Sequence, residues 1–154
     1  MSLRPSDPSR PDGAFVYAQI AWVLALAAML GSLFFSEVMH LPPCNLCWYQ
    51  RIFLYPLVVL LPIGVLRRDP NLTVYTLPLV AIGLLLATYH TLLYYGVIAE
   101  DLAPCTQGVP CTTRQIEWFG FVGIPLLGLG AFVSIAAALL LHHKKVRLSA
   151  RGIG

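Results

Sequence analysis

The chain has 154 residues, of which 58% are hydrophobic and only 11% charged, with a mean hydropathy of +0.75 and a formal net charge of +3. Water-soluble domains carry about 25% charged residues, so this composition excludes one. The small basic excess lies beside apolar stretches, which suits membrane anchoring and not nucleic-acid binding, and the length holds a single domain.

Residues 1–13 carry three Pro, two Arg and two Asp, and read as a disordered cytoplasmic leader. Four apolar stretches follow, at about 14–35, 47–66, 72–95 and 118–141. Each meets the roughly 20 residues that a helix needs to cross the hydrocarbon of a bilayer. The first exceeds the apolar core of a signal peptide and no small-x-small cleavage site follows it, so it is expected to be retained. The fold expected is an all-α integral membrane protein, a four-transmembrane-helix bundle with outer loops at about 36–46 and 96–117.

Orientation follows from Lys and Arg, which accumulate in short cytoplasmic segments. Arg4, Arg10, Arg67, Arg68, Lys144, Lys145, Arg147 and Arg151 fall on one side, eight of the ten basic residues. Arg51 and Arg114 fall on the other, with Glu37, Glu100, Asp101 and Glu117. Both termini are therefore expected in the cytoplasm of a multi-pass cell-membrane protein. All four cysteines then sit on the extracytoplasmic side, where oxidising conditions favour disulfide chemistry over a reduced metal site. No metal is expected; a closed four-cysteine zinc site wants thiolates that this compartment disfavours.

Cys44 and Cys47 lie in Leu41-Pro42-Pro43-Cys44-Asn45-Leu46-Cys47-Trp48-Tyr49-Gln50-Arg51. The prolines stop helix 1 and start helix 2 near Cys44, which puts Cys47 in a first turn where free N–H groups and the helix dipole favour a thiolate. A disulfide closing so short a ring contributes only about 2 kcal/mol as a staple. C-x-x-C spacing recurs in thiol–disulfide catalysts, so the pair is read as redox-active. Gln50 and Arg51 follow at i+3 and i+4 on the face below the thiol. A cation at that depth is expensive unless it has a task, its alternative being to snorkel to the head groups. Trp48 and Tyr49 read as an interfacial aromatic belt.

In helix 3, His90 stands in the apolar run Ala87-Thr88-Tyr89-His90-Thr91-Leu92-Leu93 at a depth matching Arg51. It is either a functional group or one end of an interhelical hydrogen bond. Pro56, Pro62, Pro78 and Pro125 read as kinks. The second cysteine pair, in Pro104-Cys105-Thr106-Gln107-Gly108-Val109-Pro110-Cys111, can close a small ring of the labile, exchangeable kind.

Three motifs together resemble the DsbB family of membrane disulfide oxidoreductases, in particular its short-loop BdbC-like members. They are Pro43-Cys44-x-x-Cys47-x-Tyr49-x-Arg51, Tyr89-His90-Thr91, and Cys111-x-x-Arg114-Gln115 leading to Phe119-Gly120. The resemblance implies an enzyme that reoxidises an extracytoplasmic thioredoxin-like thiol oxidase and passes the electrons to a membrane quinone, menaquinone or ubiquinone. It implies that Cys105 is attacked by the reduced partner, that Cys111 passes electrons to Cys44, and that Cys47 meets the quinone. Arg51 and His90 would hold the quinone oxygen. Two features depart from the family's enterobacterial form: five residues separate Cys105 from Cys111 where that form has a much longer segment, and Gln50 stands where a Glu can occur. Vitamin K epoxide reductase relatives carry the two pairs in the reverse order. The rival expectation is a small membrane scaffold with structural outer disulfides; a transporter lacks both the intramembrane polar groups and the internal repeat.

Overall fold

A computed structural model of the chain describes residues 12–99, 110–113, 117–118 and 122–151. Residues 1–11 of the expected leader lie outside the described residues, as do Glu100, Asp101, Cys105, Arg114, Gln115, Phe119 and Gly120.

Four long helices form the molecule: α1 (Asp12–Leu33), α2 (Asn45–Leu66), α3 (Leu72–Tyr94) and α4 (Ile124–Ala150). All four are long and apolar enough to cross a membrane. A third or less of each span is buried inside the protein. The rest of its apolar surface faces outward, as lipid as solvent requires. The helices close a ring in chain order, α1 packing on α2 and α4, and α3 on α2 and α4.

Small residues set the approach of α1. Ala14, Ala18, Ala21 and Ala25 repeat at helical spacing and are all fully or nearly fully buried. Where lipid supplies no hydrophobic drive between helices, such a stripe lets backbones come close enough for dispersion contacts. Large side chains from the other helices complete the core, among them Leu57, Leu61, Phe132, Ile135 and Leu139. Gly83 of α3 gives Phe132 its place: a Cβ there would run into the ring.

Pro56 and Pro62 lie inside α2 and Pro78 inside α3. Pro62 has no N–H to give the carbonyl of Val58, and Trp22 of α1 donates to that oxygen instead through its indole N–H at 3.1 Å. A broken rung in one helix thus becomes a tie to another.

The helix ends depart from hydropathy in informative ways. Pro125 occupies the first turn of α4, where its missing N–H leaves no rung broken, and does not kink the helix. Ahead of it the chain forms a minimal antiparallel pair, β1 (Glu117–Trp118) and β2 (Val122–Gly123), so the helix expected from 118 begins at Ile124. At its other end α4 runs to Ala150 and carries Lys144, Lys145 and Arg147 beyond the apolar span. Helix α1 passes into a π-helical turn, Phe34–Val38, in which Met39 N–H reaches back to Phe34 O.

Candidate functional site

At one end of the bundle the start of α2, the end of α3 and the start of α4 converge. Cys44 caps α2 with extended backbone (φ −72°, ψ 169°), and its sulfur accepts the backbone N–H of Cys47 at 3.4 Å. The N-terminal stabilisation expected for Cys47 therefore reaches Cys44 as well, because the cysteine that breaks the helical backbone takes the capping bond. Cys44 and Cys47 are free thiols with their sulfurs 2.7 Å apart. The Cys47 thiol donating to it, helped by His90 and opposed by burial, holds the Cys44 thiol far below its ordinary range, at about 4.

His90 links the two cysteine segments. Its Nε2 lies 3.6 Å from Cys44 Sγ and 3.3 Å from the carbonyl oxygen of Cys111. A carbonyl only accepts, so Nε2 carries the proton. Nδ1 is then the acceptor, and the Gln50 amide donates to it at 3.0 Å. Cys111 is disulfide-bonded and buried. Its Sγ, the sulfur of Cys44 and a ring nitrogen of His90 all lie within 4.8 Å of one another. A small cavity of about 30 Å³ opens among them, lined also by Cys47.

A larger cavity of about 280 Å³ lies beside the dithiol. Its walls are apolar and include Phe35, Leu54, Pro125 and Phe132, with Cys47, Gln50, Arg51 and His90 as its chemistry. Arg51 is 9% exposed. It donates from Nε to Ser32 Oγ at 2.8 Å and from Nη2 to Ser32 O at 2.9 Å, and its guanidinium stands 5.2 Å from the Trp48 ring centroid. Among the described residues no carboxylate pairs with it, and it lines the cavity. A buried cation left in that state favours an electronegative ligand.

Of the residues singled out from sequence, Cys44, Cys47, Arg51, His90 and Cys111 come together here; Cys105 lies outside the described residues. Sequence did not point to Ser32. It sits just ahead of the π-turn, and its carbonyl oxygen accepts from the Ser36 hydroxyl at 3.3 Å as well as from Arg51. Gln50 was visible as a neighbour of Arg51 and as the residue standing where a Glu can occur, but not as a partner of His90. Its role depends on Gly128, where a Cβ would meet Gln50 Oε1 at 2.7 Å.

A dithiol at a helix cap, a third sulfur within reach and an apolar, cation-bearing cavity alongside belong to a membrane protein of thiol–disulfide exchange. Comparison with known proteins agrees. The chain belongs to the DsbB family: the family model "Disulfide bond formation protein DsbB" matches residues 15–143. "Probable disulfide formation protein C" of Halalkalibacterium halodurans is 50% identical over 79% of this chain and 88% of its own length. "Disulfide bond formation protein C" of Bacillus subtilis is 47% identical over 79% and 86%. "Probable disulfide formation protein" of Metapseudomonas resinovorans is 43% identical over 82% and 88%. No solved structure matches the chain. Membership implies a multi-pass membrane protein with oxidoreductase activity in disulfide-bond formation.

Proposed function

We propose that this protein reoxidises a thioredoxin-fold thiol oxidase outside the membrane and transfers the two electrons to a membrane quinone, menaquinone or ubiquinone. The observation that carries the reading is the placement of Cys44 between two neighbours, the sulfur of Cys111 on one side and Cys47 with its Arg51-lined cavity on the other.

The exchange steps balance on the four cysteines. A thiolate of the reduced partner attacks Cys105 of the Cys105–Cys111 disulfide, and Cys111 leaves as thiolate. Cys111 then attacks Cys44 of an oxidised Cys44–Cys47 pair, forming a Cys44–Cys111 disulfide and releasing Cys47. The partner's second thiolate displaces Cys105, which attacks Cys111 and frees Cys44. The partner leaves oxidised, the outer pair is restored, and Cys44 and Cys47 hold the electrons as a dithiol. That combination, with Cys111 in a disulfide and Cys44 and Cys47 free, is the one the structure contains.

The residues around the cavity fit a quinone: Arg51 keeps donors unspent, the walls are apolar, and the volume is near that of small-molecule sites. A quinone there supplies a two-electron, two-proton acceptor. Arg51 offers positive charge where negative charge develops, and Cys47 lines the same space. His90, fixed by Gln50, keeps an N–H on the sulfur of Cys44 and steadies it as a thiolate.

The test is purified protein with a short-chain quinone and a reduced thioredoxin-fold oxidase as donor. Quinone reduction that depends on the donor, with Cys44 and Cys47 both required, is the expected result. Donor oxidation without quinone reduction would sink the quinone half of the reading, and no donor oxidation at all would sink both. The scaffold alternative treats the cysteine pairs as staples, and the free thiols of Cys44 and Cys47 oppose it.

A further inference from the structure

The exchange step needs three sulfurs, with Cys111 attacking, Cys44 attacked and Cys47 leaving, and the structure sets a ring nitrogen of His90 beside two of them. Cys44, Cys111 and His90 are all buried, with donor atoms within 4.8 Å of one another. Cys47 adds a further sulfur 2.7 Å from that of Cys44. The cavity of about 30 Å³ among these four side chains is ion-sized, and Pro42, Pro110, Thr113, Ile124 and Pro125 complete its walls.

From this geometry we infer that the fully reduced protein carries a metal site of the Cys₃His type, built from Cys44, Cys47, Cys111 and His90, for a thiophilic divalent cation such as zinc. Tetrahedral zinc with Zn–S near 2.3 Å and Zn–N near 2.0 Å sets its ligands roughly 3.5–4 Å apart. Cys44 Sγ and His90 Nε2 already stand at 3.6 Å. Cys111 Sγ lies within 4.8 Å of both, and Cys47 Sγ, 2.7 Å from Cys44 Sγ, must swing away from it to reach tetrahedral spacing, a movement that rotation about χ1 supplies once Cys111 is released from its disulfide.

The two electrons that open the Cys111 disulfide come from a dithiol reductant, in the cell a further reduced thiol partner and in the test an added dithiol; binding the ion then moves protons alone. Three thiols lose their protons to solvent as the ion binds, and no electron moves. His90 must present Nε2 as a lone pair, so its proton moves to Nδ1. Gln50 accommodates that: with its amide turned over, Oε1 accepts from Nδ1–H and holds the ring in the ligating tautomer. One residue therefore serves both forms of the imidazole.

The site is gated by redox state. While Cys111 is in a disulfide it is no thiolate ligand, so the ion is held only when both cysteine pairs are reduced. Bound metal then occupies the sulfurs that exchange requires, and a stalled, over-reduced protein is inhibited by thiophilic cations where the resting protein is not. This inference stands on the described side chains and does not need the quinone reading.

The experiment uses the full chain in detergent, reduced and desalted without oxygen, and titrated with cobalt(II) and then zinc(II). One cobalt per chain with thiolate charge-transfer and tetrahedral bands, displaced by zinc, is expected; the oxidised protein shows neither. Cys111→Ser and His90→Ala should each raise the apparent Kd more than about tenfold, at least the effect of losing a supporting residue. Alkylation followed by mass analysis on the wild type needs no variant: zinc should protect Cys44, Cys47 and Cys111 and leave Cys105 reactive. No stoichiometric ion, protection confined to Cys44 and Cys47, protection extending to Cys105, or an unchanged Kd in Cys111→Ser overturns the site.

Discussion

The two ends of the helix bundle use polar groups in opposite ways. At the end carrying Lys144, Lys145 and Arg147, side chains are spent on joining helices. His142 contacts the backbone oxygen of Ala14 through Nδ1 at 2.8 Å, His143 meets Thr73 at 2.9 Å, and Lys145 stands 4.8 Å from the centroid of the Tyr17 ring. At the other end Arg51, Gln50 and His90 are held just as closely, yet each keeps a face on a cavity or a sulfur. The lesson is that rigid placement marks both structural and chemical sites. What separates them is what the fixed groups border: His142 is packed between helices, its Nε2 without a partner among the described residues, whereas Arg51, Gln50 and His90 line a cavity together with Cys47.

Substitutions that exploit this contrast should rank by how directly they touch the chemistry. Cys44→Ser and Cys47→Ser head the order: each is expected to drop donor-dependent turnover to background in a quinone-reduction assay, with the Tm nearly unchanged because neither closes a staple. Arg51→Ala comes next. Losing a charged hydrogen bond of about 1.5–3 kcal/mol should raise the KM for quinone roughly 10–100-fold, read from initial rates over quinone concentration. An unchanged KM would make Arg51 a mere anchor. Ser32→Ala removes only the hydroxyl, leaving the carbonyl bond, so about 1 kcal/mol and a KM rise of several-fold are expected, with kcat less affected.

His142 supplies the opposite limit. His142→Ala should lower the Tm, by about 1–3 kcal/mol of lost packing and hydrogen bonding, while leaving the KM for quinone alone. A catalytic effect there would erase the distinction between the two ends. Smallest is a pH effect. Because Cys44 is held at about 4, its thiolate persists as pH falls below the ordinary thiol range. Alkylation of Cys44 in the reduced protein should therefore continue in mild acid, and His90→Ala should move its midpoint upward.

How much of this was legible beforehand follows from what each feature depends on. Apolar length and charge asymmetry located four spans, because lipid acts on every residue of a helix alike. Cys44, Cys47, Arg51 and His90 stood out as groups too reactive or too costly for their surroundings. Ser32 did not, since a serine in an apolar helix is unremarkable until the register of α1 shows what it faces. The start of α4 was misplaced for a related reason: Trp118 and Val122 are as apolar as the helix behind them, and hydropathy does not distinguish a short β pair from a first turn. Gly128 and Gly83 were silent, because a glycine in a membrane helix acquires meaning only from the side chain packed on it, Gln50 in one case and Phe132 in the other.

The π-turn at Phe34–Val38 has a bearing on how the chain can be edited. Such a turn holds one residue more than the α-helical repeat, so it behaves as an insertion absorbed in place. Deleting a single residue there should restore a continuous helix up to the loop and swing the following segment by about a hundred degrees, whereas the same deletion within Asp12–Leu33 would throw the alanine stripe out of phase. The segment is thus a natural adjustment point, where chain length can vary by one without disturbing the packed helix before it or Ser32, which receives Arg51.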